Sequence, residues 1–149
     1  MEFITLFRTQ HTWETLLSQS QSIRVKYANR IPVIVDRFNT QLPYLKKNKF
    51  LVPLDATVGQ LAHVIRTHLK PKLHENEAIY LFLREYVYIT SSEMFVNNSL
   101  PIFTMTMSQL YKQSQDRDGF LYFVYNKEST FGGEAEETQE TQETQEIQL

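Results

Sequence analysis

Near the C-terminus, Phe120-Leu121-Tyr122-Phe123-Val124-Tyr125 follow one another without a polar residue between them. So continuous a run, entered through Asp116-Arg117-Asp118-Gly119, reads as a buried strand after a turn rather than as a strand with one wet face. A chain of 149 residues is one domain by size, large enough for a real core but too small for two. The rest of the chain must therefore fold around that strand.

The other elements follow from periodicity. Phe7, Trp13, Leu16, Leu17 and Ile23, set among Thr, Gln and Ser, suggest one or two amphipathic helices between Leu6 and Tyr27. Arg30 to Val35 is β-rich, and its Pro32 suits an edge strand or an early strand position. Lys49 to Pro53 is a second short strand. Asp55 or Thr57 caps a helix reaching about Leu69, with Val58, Leu61, Val64, Ile65 and Leu69 at helical spacing. Ala78 to Leu83 is a third strand, and Thr106 to Gln115 a short helix. Two helices, strand, strand, helix, strand, strand, helix, strand is the order of an α+β, ubiquitin-like β-grasp with two additional N-terminal helices. Fold alone does not give function.

Composition excludes several classes. There is no cysteine, hence no disulfide, no thiolate nucleophile and no cysteine-ligated zinc. The N-terminus lacks a basic region and a long apolar core, and no apolar run approaches the roughly 18 residues of a membrane span. His63 and His68 stand five apart on different helix faces, so no metal or cofactor is expected. No Ser-His-Asp set or phosphate-cradling glycine loop is present, which argues against an enzyme. Nothing points to nucleic acid.

After the buried strand come Glu128-Ser129-Thr130-Phe131-Gly132-Gly133. These residues are either an ordinary terminus with a stray Phe, or an arm made to thread into a narrow active site, where glycine has no side chain to clash. Beyond Gly133 the tail repeats Glu-Thr-Gln, and residues 136–146 contain nothing apolar, which reads as disorder. The full chain has formal charge −2. Six acids and no base follow Gly133, so a chain ending at Gly132 carries +4. Lys46, Lys47 and Lys49 beside Phe50-Leu51-Val52-Pro53 are either a solvated loop or a basic open edge suited to an acidic extended peptide. Lys49, Phe50 and Leu51 are expected at the surface.

Read in order, Arg30–Val35, Lys49–Pro53, Thr57–Gln60, Val64–Arg66, Phe95–Asn98, Asp118–Tyr122 and Ser129–Gly132 resemble the ubiquitin-like autophagy modifier family. That family includes the microtubule-associated protein light chains and the GABA-receptor-associated proteins. The resemblance spans about Leu6 to Gly132. It implies a helical extension over residues 1–27, a ubiquitin-like domain over 28–126 and a flexible arm over 127–132. The disordered acidic tail, 133–149, would be removed by processing.

The resemblance implies a function as well. A cysteine protease cuts after Gly132, next to Phe131. Ubiquitin-like activating and conjugating enzymes then pass the new carboxylate to phosphatidylethanolamine. The chain moves from the cytoplasm to the autophagosome membrane, where it recruits receptors carrying acidic aromatic-x-x-aliphatic motifs. It catalyses nothing itself. By position, the aromatic pocket would be Ile23, Pro32, Ile34, Lys49, Leu51 and Phe120. The aliphatic pocket would be Phe50, Val52, Pro53, Leu61, Val64 and Ile65, with Gln19 at the aromatic pocket's rim and Arg66 among the peptide-binding residues. An unconjugated soluble peptide-binding module of the same fold is the alternative. The chain departs from the family pattern in placing Gln19 and Lys46 where relatives carry acids. It also inserts about 13 residues near Leu83 to Phe95, either a lengthened hairpin turning near Thr90-Ser91-Ser92-Glu93 or a disordered bulge.

Overall fold

The computed structural model describes residues 10–90, 93–129 and 144–146. In chain order these form helix α1 (Trp13–Lys26), strands β1 (Arg30–Arg37) and β2 (Lys49–Pro53), and helix α2 (Val58–Leu69) with a 3-10 turn after it (Lys70–Lys72). Strands β3 (Tyr80–Tyr88) and β4 (Met94–Ser99), helix α3 (Met107–Ser114), and strands β5 (Leu121–Asn126) and β6 (Thr144–Glu146) complete the set. One mixed sheet runs β4-β3-β5-β1-β2-β6. This is the expected α+β ubiquitin-like fold. The described residues contain one of the two expected N-terminal helices, and residues 1–9 lie outside them.

The apolar run has its reason in the topology. β5 lies between β1, which it pairs in parallel, and β3, which it pairs antiparallel, and all six of its residues are buried. Helices lie over both of its faces, so both faces must be apolar. On one face, Val58, Leu61, Ile65 and Leu69 of α2 and Met107 and Leu110 of α3 pack against Val33, Val52, Leu83, Leu121 and Phe123. On the other, Leu16 of α1 meets Ile34, Tyr86, Phe120 and Tyr122.

Local chemistry fixes the ends. Thr57 and Gln60 form a reciprocal capping box at the start of α2, and Thr106 and Gln109 form another at α3. Each box satisfies two backbone donors that a helix start leaves orphaned. Thr12 caps α1 through the Thr15 amide. The insertion is a hairpin: β3 and β4 pair from Leu83↔Ser99 to Tyr88↔Met94, and the Ile89 amide donates to the Glu93 carbonyl. Tyr88, Met94 and Val96 extend the apolar cluster under α1. Arg117 lies over the rings of both Tyr88 and Trp13, tying the hairpin to the start of that helix.

Of the two positions offered for Pro32, an edge strand or an early strand position, the structure shows the second: Pro32 is the third residue of β1, which is interior to the sheet. The Val35 amide donates to the Asn48 carbonyl, so by alternation Pro32 turns its missing N–H toward β5, just ahead of the first pair, Val33↔Leu121. There the missing donor breaks no ladder bond. Residues 144–146, expected to be disordered, form β6.

Candidate functional site

The implied site residues collect around β2, and strand alternation sorts them. Lys49 and Leu51 lie on the α1 side of the sheet, and Phe50 and Val52 on the α2 side. On the α1 side, Ile34 pairs with Lys49 and buried Pro32 with Leu51. Ile34 and Phe120 are sealed in the cluster beneath α1, and half-buried Ile23 packs against it. Gln19, one turn earlier, accepts a hydrogen bond from Lys49 Nζ through Oε1 (2.9 Å). Burial lowers the pKa of Lys49 from its ordinary value. Helix and strand thus meet in a rim containing one lysine whose charge is partly desolvated.

On the α2 side, Phe50, Val52, Leu61 and Ile65 are each fully buried in the main core. Half-buried Val64 packs against them, and Pro53 is partly exposed at the strand end. Phe50 was expected at the surface, and this must be corrected: its ring is 0 % exposed and lies edge-on to the His68 ring, with centroids 6.0 Å apart. Leu51, also expected at the surface, is 6 % exposed. Arg66 is half-buried and donates to the Glu77 carbonyl. Lys46 is exposed and Lys47 half-exposed at the entry to the strand. Phe131 and Gly132 lie outside the described residues.

The sheet margin itself is informative. The antiparallel register with β1 pairs Val33 with Phe50 and Ile31 with Val52. The bond between Val35 and Asn48 sets the phase, so the backbone groups of Lys49 and Leu51 face outward. β6 pairs with that outward side, in parallel: Lys49↔Thr144, Phe50↔Gln145, Leu51↔Glu146. The Leu51 carbonyl also accepts from the Arg30 guanidinium (3.3 Å).

The sequence reading missed Arg30 at this margin and missed β6 altogether. A signal for β6 was present: a basic strand edge and an acidic, uncommitted segment in one chain.

Beneath the rim, Asp118 anchors the turn that α1 sits on. Its carboxylate accepts from the Phe120 amide and the Tyr122 hydroxyl. Burial, and then the Asp118 charge, push the Tyr122 pKa far above its ordinary value. Ser20 of α1 donates to the Asp118 carbonyl, and Tyr111 to that of Gly119. Gly119 has φ +88°, and a Cβ there would fall 2.2 Å from Ser20 Oγ. Both its backbone angle and the approach of α1 require glycine.

A family model described as "Autophagy protein Atg8 ubiquitin like" matches residues 16–95 and 91–132, the two segments meeting inside the β3–β4 hairpin. Autophagy-related protein 8A of Oryza sativa subsp. indica is 40% identical over 129 residues, covering 86% of this chain and 96% of the relative. Autophagy-related protein 8c of Arabidopsis thaliana is 40% identical over 127 residues (85% and 94%). Autophagy-related protein 8 of Dictyostelium discoideum is 37% identical over 135 residues (90% and 99%).

Proposed function

Because the chain belongs to the Atg8 ubiquitin-like family of autophagy proteins, we propose that it acts as a lipid-conjugated modifier with a peptide-binding edge. A cysteine protease cuts after Gly132. The carboxylate so made is adenylated, carried as a thioester by activating and conjugating enzymes, and amide-linked to the phosphatidylethanolamine amine. The chain contributes the carboxylate and the docking surface, and the enzymes contribute the catalysis. It is cytoplasmic before cutting and sits on the autophagosome membrane once lipidated. Among the described residues no helix is long and apolar enough to cross a membrane. Attachment in this reading comes from two acyl chains, at about 0.8 kcal/mol per buried methylene. Ending the chain at Gly132 also leaves a net +4 body, which suits an anionic lipid surface better than the −2 precursor.

The observation that carries the receptor half of this reading is the division of the two residue sets across β2. In an added strand, side chains alternate between faces, so residues i and i+3 point to opposite sides of the sheet. An aromatic-x-x-aliphatic peptide would send its aromatic residue toward Gln19, Ile23, Lys49 and Leu51, and its aliphatic residue toward Val64 and Pro53. Main-chain pairing supplies affinity, and the two sides supply specificity. Lys46, Lys47 and Lys49 suit its acidic flanks.

Intact mass in cell extract tests the processing half. The wild-type chain should lose residues 133–149, and Gly132→Ala should keep them, because a Cβ enters where the protease needs bare backbone. A wild-type chain that keeps its tail would leave the unconjugated soluble module as the reading.

A further inference from the structure

β6 occupies the same outward side of β2 that the proposed receptor peptide would need. Lys49 and Leu51 offer their backbone groups to one added strand only. The register places the Gln145 backbone, opposite Phe50, between them. We propose that the uncleaved chain occludes its own peptide-binding edge with its acidic tail, and that cutting after Gly132 opens that edge in the step that frees the carboxylate. The inference rests on the receptor-edge reading above and adds its regulation.

Three observations support the tail as an occupant in cis. The first is direction. β5 runs parallel to β1, β1 antiparallel to β2, and β6 parallel to β2. β5 therefore ends at the end of the sheet where β6 begins, so joining them requires no traverse along the length of a strand. The second is reach. Stepping over β1 and β2 to the margin takes three strand spacings, about 14 Å at 4.7–4.9 Å each. Residues 127–143, at roughly 3.3 Å apiece, span up to about 56 Å. The length of chain is thus about four times the distance to be crossed, and an occupant carried on the same chain stands at an effective concentration of order millimolar. The third is charge. The tail holds six acids and no base, and the edge is entered past Lys46, Lys47 and Lys49.

The occupant is also weak by construction. The strand is three residues long and carries no apolar side chain. A receptor peptide with an aromatic and an aliphatic anchor outcompetes it once the tether is cut, and competes at a disadvantage while the tether holds. If the edge is open in about one molecule in ten, apparent affinity is about tenfold weaker than in an open chain. The uncut precursor then scarcely binds receptors in the cytoplasm, and binding is reserved for chains committed to the membrane.

The test uses the full chain and a short acidic synthetic peptide with a Trp-x-x-Leu core. Gln145→Pro removes the donor at the centre of β6 and leaves the folded body untouched. Calorimetry should find the peptide bound at least fivefold more tightly by Gln145→Pro than by wild type. Hydrogen exchange should find the Leu51 amide protected in wild type and faster in the variant. Equal, measurable affinity in both chains would overturn the self-occlusion and leave the receptor edge standing. No binding by either chain, with Leu51 exchange still differing, would overturn the receptor-edge reading, and the occlusion of a receptor site with it.

Discussion

Gly119→Ala probes how the docking of α1 holds the rim of the site. The substitution strains the molecule twice. A residue with a Cβ at φ +88° is in left-handed territory that costs about 1–2 kcal/mol. The new Cβ would lie 2.2 Å from Ser20 Oγ and 2.9 Å from Ser20 Cβ, so α1 must move away. Moving it gives up the bond from Ser20 to the Asp118 carbonyl, worth about 0.5–1.5 kcal/mol. Together these predict a loss of about 2–4 kcal/mol, or roughly 6–16 °C in Tm for a chain of this size.

Urea denaturation of Gly119→Ala, Ser20→Gly and the double variant measures each part. Ser20→Gly removes both clashing atoms, at about 0.5 kcal/mol of helix propensity, and gives up the same bond to the Asp118 carbonyl. The double variant should then be about 1–2 kcal/mol more stable than the sum of the two single losses suggests, because the clash is gone and the lost bond is counted once. Because Gln19 and Ile23 ride on the same helix, Gly119→Ala should also weaken peptide binding. A Gly119→Ala chain within about 0.5 kcal/mol of wild type, or strict additivity in the cycle, would refute the reasoning.

Two further outcomes follow from the site's electrostatics. Gln19→Glu sets a carboxylate beside Lys49 Nζ, so the Lys49 pKa, lowered by burial in wild type, should rise by NMR titration. The new pair should add about 0.5 kcal/mol between the two pKa values, lost again as acid protonates the glutamate. Tyr122 and Tyr86 have pKa values raised chiefly by burial, with the charges of Asp118 and Asp36 respectively adding to it. For a raised pKa the stabilisation is complete below the unfolded value, about 10, and lost above it. Alkaline titration should therefore show the tyrosinate signal of these two appearing only with loss of native circular dichroism. Gradual ionisation in the folded chain would contradict their placement.

What the sequence disclosed, it disclosed through local rules. Thr57, offered beside Asp55 as a cap, and Thr106, read as the start of a short helix, mark helix starts by side-chain chemistry that needs no tertiary context. Both helices begin where those caps stand. Thr90 to Glu93 marked the hairpin turn for the same reason. The failures were of context. Phe50-Leu51-Val52 is apolar on both faces, so alternation could not say that Phe50 belongs to the core and Leu51 to the α1 side. Pro32 left an edge strand and an early strand position both open, and only the pairing decides between them: its missing N–H falls just outside the ladder with β5. β6 was missed because backbone pairing at a ready edge defines it, and composition rules register only what a segment can bury; its one signal was the charge match between edge and tail. Of the candidate site, the family resemblance sorted the residues around β2 into two sets, and the structure places those sets on opposite faces of the strand.

Lipid conjugation in a reconstituted system tests the central claim most directly. The full chain, the family's cysteine protease, its activating and conjugating enzymes and liposomes containing phosphatidylethanolamine are incubated with ATP and floated on a density gradient. The account predicts that the chain floats with the liposomes and ends at Gly132 in an amide to the lipid, and that Gly132→Ala stays at the bottom with its tail intact. A wild-type chain that stays unmodified beside a relative that floats, or a Gly132→Ala chain that is still conjugated, would contradict it.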